Sequence, residues 1–191
     1  MFVLPLAPDL RLRLPARRDA ERLYAMIDAD REHLRARLGW VDGTRGPEDV
    51  RAFLEGSLAR FASGRGFDAL LEADGAPVGM VGVHDVQPSP ARAAIGYWIA
   101  RARQGEGLVT RAVAGLLPHL FGAMGFERVE IRCAPTNARS RAVPQRLGFT
   151  HEGTLRHVER IGDRDHDQAV YGLLRDEWRA GRDRGAEEGP P

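Results

Sequence analysis

The sequence predicts a mixed α/β protein with a single domain, and three observations support that prediction. The chain has 191 residues, which suits one compact domain with a substantial core, and no linker or internal repeat divides it. Its first third carries apolar residues at helical spacing, whereas the second half is rich in segments that alternate as strands do. Two hairpin sequences, at Asp74-Gly75 and Gly162-Asp163, join such strand segments.

Four helices are predicted from apolar spacing and from their first residues. The first covers Asp19 to Leu38. The second begins at Pro47, because proline and acidic residues favour a first helical turn, and its predicted buried face comprises Val50, Phe53, Leu54, Leu58 and Phe61. The third covers Leu108 to Phe121, with a kink at Pro118. The fourth is short and lies within 137–149.

Seven strands are predicted, over 10–14, 67–72, 77–83, 93–100, 128–134, 154–161 and 167–174. Cys133 lies in an apolar-alternating strand, which favours a buried structural thiol over a nucleophile. The last residues are charged and rich in glycine and proline. We therefore expect a folded domain over residues 1–180 and a disordered tail over 181–191.

Composition and charge exclude several classes of protein. Apolar residues make up 43% and charged residues 29%, as in a soluble globular protein, and no run is long enough to span a membrane. The net charge of +1, with arginine supplying all 28 basic residues, favours neither a nucleic-acid nor a membrane partner. The first residues lack the pattern of a signal peptide, so we expect a cytoplasmic protein. A single cysteine excludes an intrachain disulfide.

A cluster over Asp163 to Gln168 contains aspartates and a histidine, which are residue types that bind metals. Its spacing fits no zinc-site pattern. It also lies on a predicted hairpin, where such residues form turns and face solvent. We therefore expect no metal in this protein.

The loop Gln104-Gly105-Glu106-Gly107 separates a predicted strand from the helix that begins at Leu108. No Ser, Thr, Asp or Asn precedes that helix to cap its free N–H groups, so the loop has the features of an anion site. Arg101 and Arg103 would add positive charge, whereas Glu106 opposes an anion and must point away. The alternative is an ordinary strand-to-helix turn that water caps.

Three blocks of sequence occur together in order and spacing. They are "IGYWI" from Ile95, "QGEGLV" from Gln104, and "NARSRAVPQRLGF" from Asn137, the last followed by "EG". In this combination the chain resembles the GNAT superfamily of acetyl-CoA-dependent N-acetyltransferases, and within it the RimL-type ribosomal-protein N-terminal acetyltransferases. The resemblance covers about Leu10 to Trp178. It implies an α+β domain whose central, mixed, mostly antiparallel twisted sheet is flanked by helices.

The resemblance implies acetyl-CoA as the cosubstrate. In the family, the first block binds the pantetheine arm, the second binds the pyrophosphate and the asparagine of the third binds the coenzyme arm. Val109 departs from the glycine or alanine of the family's loop, and a turn-forming role is the alternative for Asn137. The implied coenzyme residues are Trp98, Ile99, Ala100, Gln104, Gly105, Glu106, Gly107, Leu108, Val109, Asn137 and Ser140.

Acetyl transfer to an amine needs a base for the amine, donors for the thioester oxygen and a proton for the leaving thiolate. Strand alternation places Leu155, His157 and Glu159 on one face, and the resemblance makes Glu159 the base. Its alternative is a surface carboxylate paired with Arg156 or Arg160. Many relatives use a tyrosine as the acid, but that position is Pro144 here. The resemblance assigns the role to Ser140, which could also cap the helix. A backbone N–H near Trp98 would donate a hydrogen bond to the thioester oxygen.

The resemblance places Trp40, His157 and His166 at the acceptor, with a core position as the alternative for Trp40. The leading hypothesis for the acceptor is a protein N-terminal amine, such as that of a ribosomal protein. A small amine (an amino sugar, a polyamine or an antibiotic) is the second hypothesis. A module that binds acyl-CoA without catalysis is the third. Family members often dimerise, so a homodimer is one expected assembly.

Overall fold

The computed structural model describes residues 3–187. In this range one sheet contains β1 Val3–Ala7, β2 Leu10–Arg13, β3 Phe67–Ala73, β4 Ala76–Pro88, β5 Ala91–Ile99, β6 Arg128–Cys133, β7 Thr150–Ile161 and β8 Arg164–Leu174. The spatial order is β1-β2-β3-β4-β5-β6-β8-β7. Neighbouring strands are antiparallel except β5 and β6, which are parallel. The predicted fold class, with its mixed and mostly antiparallel sheet, is confirmed.

The α-helices in the described range flank this sheet. They are α1 Ala20–Ala29, α2 Arg31–Arg35, α3 Pro47–Ala62, α4 Leu108–Pro118, α5 Ala138–Arg146 and α6 Arg175–Glu187. The long helix predicted from Asp19 is thus two helices, because the backbone leaves helical geometry at Asp30. The Asp30 carboxylate accepts a hydrogen bond of 2.6 Å from the N–H of Arg101. This contact connects the α1–α2 junction to the segment that follows β5.

Two further helical predictions differ from the structure. Pro118 is the last residue of α4, and the chain continues as a π-turn over His119–Ala123 instead of a kinked α-helix. A wider turn is a common response where an intrahelical hydrogen bond is missing. At the C-terminus, α6 continues to Glu187, so residues 181–187 are helical where we expected disorder. The remainder of the expected tail, 188–191, lies outside the described residues.

The two faces of the sheet carry cores of different extent. On the face that α4 and α5 cover, Leu12, Val81, Leu116, Val143 and Tyr171 belong to one apolar core that extends from β2 to β8. On the other face, a smaller core from α1 to α3 packs on β3 to β5, and Trp98 borders it. The second face is therefore covered by helices over only part of its width.

The predicted buried face of α3 is correct for some residues and wrong for others. Val50 and Leu54 are buried, whereas Phe53 and Phe61 are each 42% exposed. Both rings lie at the border of the buried face. Phe53 lies beneath the Arg60 guanidinium, and Phe61 packs edge-on against Phe67 with 6.1 Å between ring centroids. These contacts shelter the rings without placing them in the core.

Cys133 is buried as predicted, and burial raises the pKa of its thiol, which disfavours the nucleophilic thiolate. Among the described helices, none combines the length and apolarity that crossing a membrane requires. Over residues 3–187, no three His, Cys, Asp or Glu side chains are grouped closely enough to hold a metal ion.

Candidate active site

The site is built around a gap between the two parallel strands. β5 and β6 pair only where Arg92 to Ile95 lie beside Arg128 to Ile131. Beyond Ile95 the two strands separate, and Gly96 to Ile99 pair only with β4 among residues 3–187. Backbone N–H and C=O groups on the side of β5 that faces the gap are therefore available to a ligand that lies along the strand.

A cavity of about 780 Å³ adjoins this gap. It is enclosed by the end of β5, the glycine loop, the first turn of α4, the residues of α5 and part of α2. All of the predicted coenzyme residues line it except Ala100, whose N–H instead donates to the carbonyl of Val78 at 2.8 Å. The structure thus brings together residues that are spread over 98–140 of the sequence.

The glycine loop has the backbone geometry that its composition predicts. Gly105 and Gly107 have φ angles of +88° and +73°, in the left-handed region that favours glycine. Gly107 is the N-cap of α4, and no side chain caps the helix. The first turn of α4, including Val109, lines the cavity with N–H groups that have no partner within the helix. This arrangement suits an anion.

Glu106, the acid within the loop, is bound by Arg103 through two hydrogen bonds of 2.8 Å. These bonds hold the pKa of Glu106 below its usual range. Arg103 also binds Asp74 at 3.0 Å. Its charge is therefore balanced by two carboxylates, and Arg101 does not line the cavity. Arg103 therefore adds no uncompensated charge to the cavity, and the Arg101 side chain does not contribute to the cavity wall, contrary to the expectation from sequence.

Three other arginines line the cavity without a carboxylate partner in the described part of the chain: Arg37, Arg139 and Arg146. Arg37 donates to the Thr136 hydroxyl at 2.9 Å, and Arg139 donates to the Gln104 side-chain carbonyl at 2.6 Å. These cations come from α5 and from the turn after α2. The sequence alone does not show which way these side chains point, so their position in the cavity was not predicted.

Ser140 lies in the first turn of α5. Asn137 is the N-cap of that helix, since its side-chain oxygen accepts a hydrogen bond of 3.2 Å from the Ser140 N–H. The structure therefore gives Asn137 the capping role that we considered for Ser140. The Ser140 hydroxyl donates to the Tyr97 hydroxyl at 3.2 Å, and Tyr97 in turn donates to the Ser140 carbonyl at 3.0 Å. Both side chains line the cavity.

Glu159 lies beyond an irregular stretch of β7. Leu155 pairs with Gln168, and Glu159 pairs with His166, so three residues of β7 lie opposite Asp167 alone. His157, in the middle of this bulge, has a φ of +54°, and its N–H donates to the Asp167 carboxylate at 3.0 Å. The predicted continuous alternation through His157 is therefore wrong, although Leu155 and Glu159 still share a face.

The Glu159 carboxylate accepts a hydrogen bond of 3.0 Å from the Gln168 side chain. In the described residues it has no ion pair with Arg156 or Arg160, and Arg160 binds Asp165 instead. Ala169 is buried on the α4 face of the sheet, so Gln168 and His166 point to the other face, and Glu159, which pairs with His166, points there too. α5 packs on the α4 face. Glu159 and Ser140 therefore belong to opposite sides of the sheet.

Trp40 lies on the Glu159 face, next to β5 and β7. Its ring centroid is 6.1 Å from that of Trp98, and it is 43% exposed, so the core alternative is wrong. The adjacent Gly39 touches β7, because a Cβ at this position would lie 2.6 Å from the Arg160 carbonyl oxygen. This loop brings Trp40, Trp98 and the Glu159 region of β7 to one surface. Of the two predicted acceptor histidines, His157 is exposed and His166 is half-buried.

The acetyltransferase (GNAT) domain family matches residues 9–150 of this chain. The chain therefore belongs to the GNAT acetyltransferase family and is an acyltransferase of the N-acetyltransferase kind.

Individual relatives agree with this assignment. YdaF of Bacillus subtilis (strain 168), provisionally named a ribosomal N-acetyltransferase, is 33% identical over 93% of this chain and 98% of its own length. The ribosomal-protein-serine acetyltransferase of Escherichia coli (strain K12) is 25% identical over 91% and 97%. Among solved structures, the microcin C7 self-immunity acetyltransferase MccE, in complex with acetyl-CoA and AMP, has a TM-score of 0.84 at 27% identity and covers 88% of this chain and 94% of its own.

Proposed function

We propose that this protein is an acetyl-CoA-dependent N-acetyltransferase of the RimL type, acting on the N-terminal α-amine of a protein. The observation that carries the proposal is the gap between β5 and β6, because it adjoins a cavity that Ser140 lines. Glu159 does not line that cavity, and the strand register puts it on the opposite face of the sheet, from which we propose that it reaches the gap. A thioester in that gap would be accessible from both faces. The amine would approach from the Glu159 face.

The cavity has the groups that a coenzyme A molecule requires. The glycine loop and the first turn of α4 offer N–H donors to the pyrophosphate. Arg139 and Arg146 offer uncompensated positive charge for phosphates. The free side of β5 offers backbone groups to the pantetheine arm. Val109 is also compatible with coenzyme binding. Its side chain packs in the core, so it would not crowd the pyrophosphate, and its N–H would donate a hydrogen bond to it.

The chemistry assigns one role to each side of the gap. Glu159 takes a proton from the amine, whose nitrogen then bonds to the acetyl carbon as the carbon–sulfur bond breaks. The Ser140 hydroxyl turns its proton from Tyr97 to the departing sulfur, which leaves as the thiol, and water returns a proton to the serine oxygen. A backbone N–H of β5 near Trp98 stabilises the negative charge on the thioester oxygen. The Gln168 hydrogen bond holds one oxygen of Glu159 and leaves the other for the amine.

The acceptor is proposed from the relatives and from the open surface. Two relatives carry names that assign them to ribosomal proteins, and the Glu159 face is covered by helices only in part. A ribosomal-protein acceptor would place the enzyme in the cytoplasm. A small amine is the second candidate, favoured by the exposed Trp40 ring beside Trp98 and by the likeness to the microcin C7 self-immunity acetyltransferase, whose structure holds AMP beside acetyl-CoA.

Calorimetric titration with acetyl-CoA, followed by thiol release with a panel of amines, tests this proposal. The panel contains peptides that begin with serine or alanine, the same peptides with a blocked N-terminus, and small amines that include amino sugars and polyamines. Turnover of the free but not the blocked peptides supports the protein acceptor. Turnover of small amines alone supports the second candidate. Binding without turnover favours a binding module, and no binding contradicts the proposal.

A further inference from the structure

We propose that Tyr97 is a positioning residue for acetyl transfer, because it holds Ser140 at the point where the helical hydrogen bond of α5 is missing. The proposal rests on the proposed function of Ser140 as the residue that serves the leaving sulfur. Tyr97 belongs to β5, and α5 belongs to a different part of the chain. The contact between Tyr97 and Ser140 therefore connects β5, which borders the gap, to α5, which carries Ser140 as the proposed general acid.

The missing hydrogen bond follows from the sequence of α5. In an α-helix the carbonyl of residue 140 accepts from the N–H of residue 144. Residue 144 is proline, which has no N–H, and its ring also crowds the carbonyl four residues earlier. The Ser140 carbonyl consequently needs another donor. The Tyr97 hydroxyl supplies it at 3.0 Å.

The same phenol also fixes the Ser140 side chain. The Ser140 hydroxyl donates to the Tyr97 oxygen at 3.2 Å, and the Ser140 N–H donates to Asn137 at 3.2 Å. Three atoms of Ser140 are thus held, two of them by Tyr97. A serine hydroxyl otherwise rotates freely, so this contact keeps the Ser140 oxygen at the cavity wall before the reaction, and the hydroxyl proton leaves Tyr97 when it turns to the sulfur.

Tyr97 is suited to act as a neutral donor. Its backbone pairs with Val81 in the centre of the sheet, so its position is rigid. Burial raises the pKa of its phenol above the usual range, so the hydroxyl keeps its proton throughout the pH range in which an acetyltransferase would work.

Tyr171 provides a matched control. It is a fully buried phenol that also binds α5, since its hydroxyl accepts from Arg141 at 2.9 Å, but it does not line the cavity. If Tyr97 merely anchored α5, then Tyr171→Phe would have the same consequence as Tyr97→Phe. If Tyr97 positions Ser140, only Tyr97→Phe affects the reaction.

The test is a set of steady-state measurements on Tyr97→Phe, Ser140→Ala, the double variant and Tyr171→Phe. We expect Tyr97→Phe to lower kcat about tenfold with little change in KM for acetyl-CoA, and to have no further effect in the Ser140→Ala background. Tyr171→Phe should keep the wild-type kcat. Equal losses from Tyr97→Phe in both backgrounds, or an active Ser140→Ala variant, would overturn the inference.

Pro144→Ala provides a rescue, because alanine restores the N–H that the Ser140 carbonyl lacks. In the Tyr97→Phe background we expect it to recover a large part of the lost kcat. Hydrogen–deuterium exchange over 138–143 is a second measurement that needs no acceptor. Exchange should rise in Tyr97→Phe and fall again when Pro144→Ala is added. If the wild type acetylates no amine, the proposed function fails, whereas unchanged exchange in Tyr97→Phe overturns the inference itself.

Discussion

The two faces of the sheet differ in how they are held together. On the α4 face, one apolar core extends across most of the strands, and the cavity that we propose for the coenzyme lies at its edge. On the other face, helices cover β3 to β5, whereas β6 carries Arg128, Glu130 and Arg132, which bind one another through ion pairs. Glu159 and Trp40 belong to this second face. The proposed coenzyme side, on the α4 face, therefore adjoins a densely packed apolar core. The proposed acceptor side, on the opposite face, is an open and polar surface.

This difference indicates which parts of the proposed site can be predicted from a local sequence pattern. The coenzyme side consists of a strand, a glycine loop and two helix starts, each of which is defined by neighbouring residues. The acceptor side consists of contacts between the loop at Gly39, the β7 bulge and β5. Substitutions on the first side should therefore change coenzyme affinity, and those on the second should change turnover or acceptor affinity.

The largest effect is expected for Gly107→Glu. A side chain at a φ of +73° is strained, and a carboxylate at the loop repels phosphate, so affinity for coenzyme A should fall by about 100-fold or more. Gly64→Glu is the control, because Gly64 has a φ of +68° in open space away from the cavity. Calorimetry measures both. Retained affinity in Gly107→Glu would mean that the loop is only a turn.

Glu159→Gln should lower kcat by roughly 100-fold or more while coenzyme affinity stays within about twofold, because a general base contributes on that scale. Thiol release at saturating acetyl-CoA measures kcat, and calorimetry measures the coenzyme affinity. A variant with the wild-type kcat would remove Glu159 from the mechanism.

Arg146→Gln should raise KM for acetyl-CoA by about five- to tenfold, the scale of one charge-assisted hydrogen bond, and should weaken the dependence of binding on salt. Arg111→Gln is the matched control. Arg111 lines the same cavity, but its charge is paired with Asp9 at 3.0 Å. Equal effects from the two variants would contradict the role given to unpaired arginines.

Trp40→Ala should raise KM for the acceptor by about three- to fivefold, through the loss of an exposed aromatic contact, and leave coenzyme affinity unchanged. Phe53→Ala is the control, since Phe53 is equally exposed on α3 but lies away from Trp98. Kinetics at saturating acetyl-CoA separate the two. A loss of coenzyme affinity in Trp40→Ala would contradict the assignment of the coenzyme and the acceptor to opposite faces of the sheet.

The smallest effect is expected for Glu130→Gln, which should lower the free energy of unfolding at pH 7 by about 1 kcal/mol. Burial alone would raise the pKa of Glu130, but hydrogen bonds from Arg132 and Arg128 outweigh it and lower that pKa. Because the pKa of Glu130 is lower in the folded state than in the unfolded state, the ionised carboxylate stabilises the protein at pH values above those at which a glutamate ordinarily titrates. That contribution disappears as pH falls through the lowered value. Urea unfolding should therefore show a smaller difference at pH 3.5 than at pH 7.

The fold class, most of the strands and the backbone geometry of the glycine loop can be predicted from the sequence alone. Gly105 and Gly107 could be placed because positive φ angles and an uncapped helix start depend on adjacent residues. Neighbouring residues do not predict that α6 extends to Glu187 or that the first helix ends before Asp30. Docking against the rest of the molecule decides such boundaries, and it can override local propensity.

Which charges and hydroxyls meet depends on how elements that are distant in the sequence pack together. Arg103 is neutralised by Glu106 and Asp74, whereas Arg146 has no carboxylate partner among the described residues, although both are arginines that line the cavity. Tyr97 stands in for the N–H that Pro144 lacks, across 47 positions of sequence. Local spacing determines the direction of the backbone, but the partner of a side chain depends on which distant element packs beside it, and that is set when the whole chain folds.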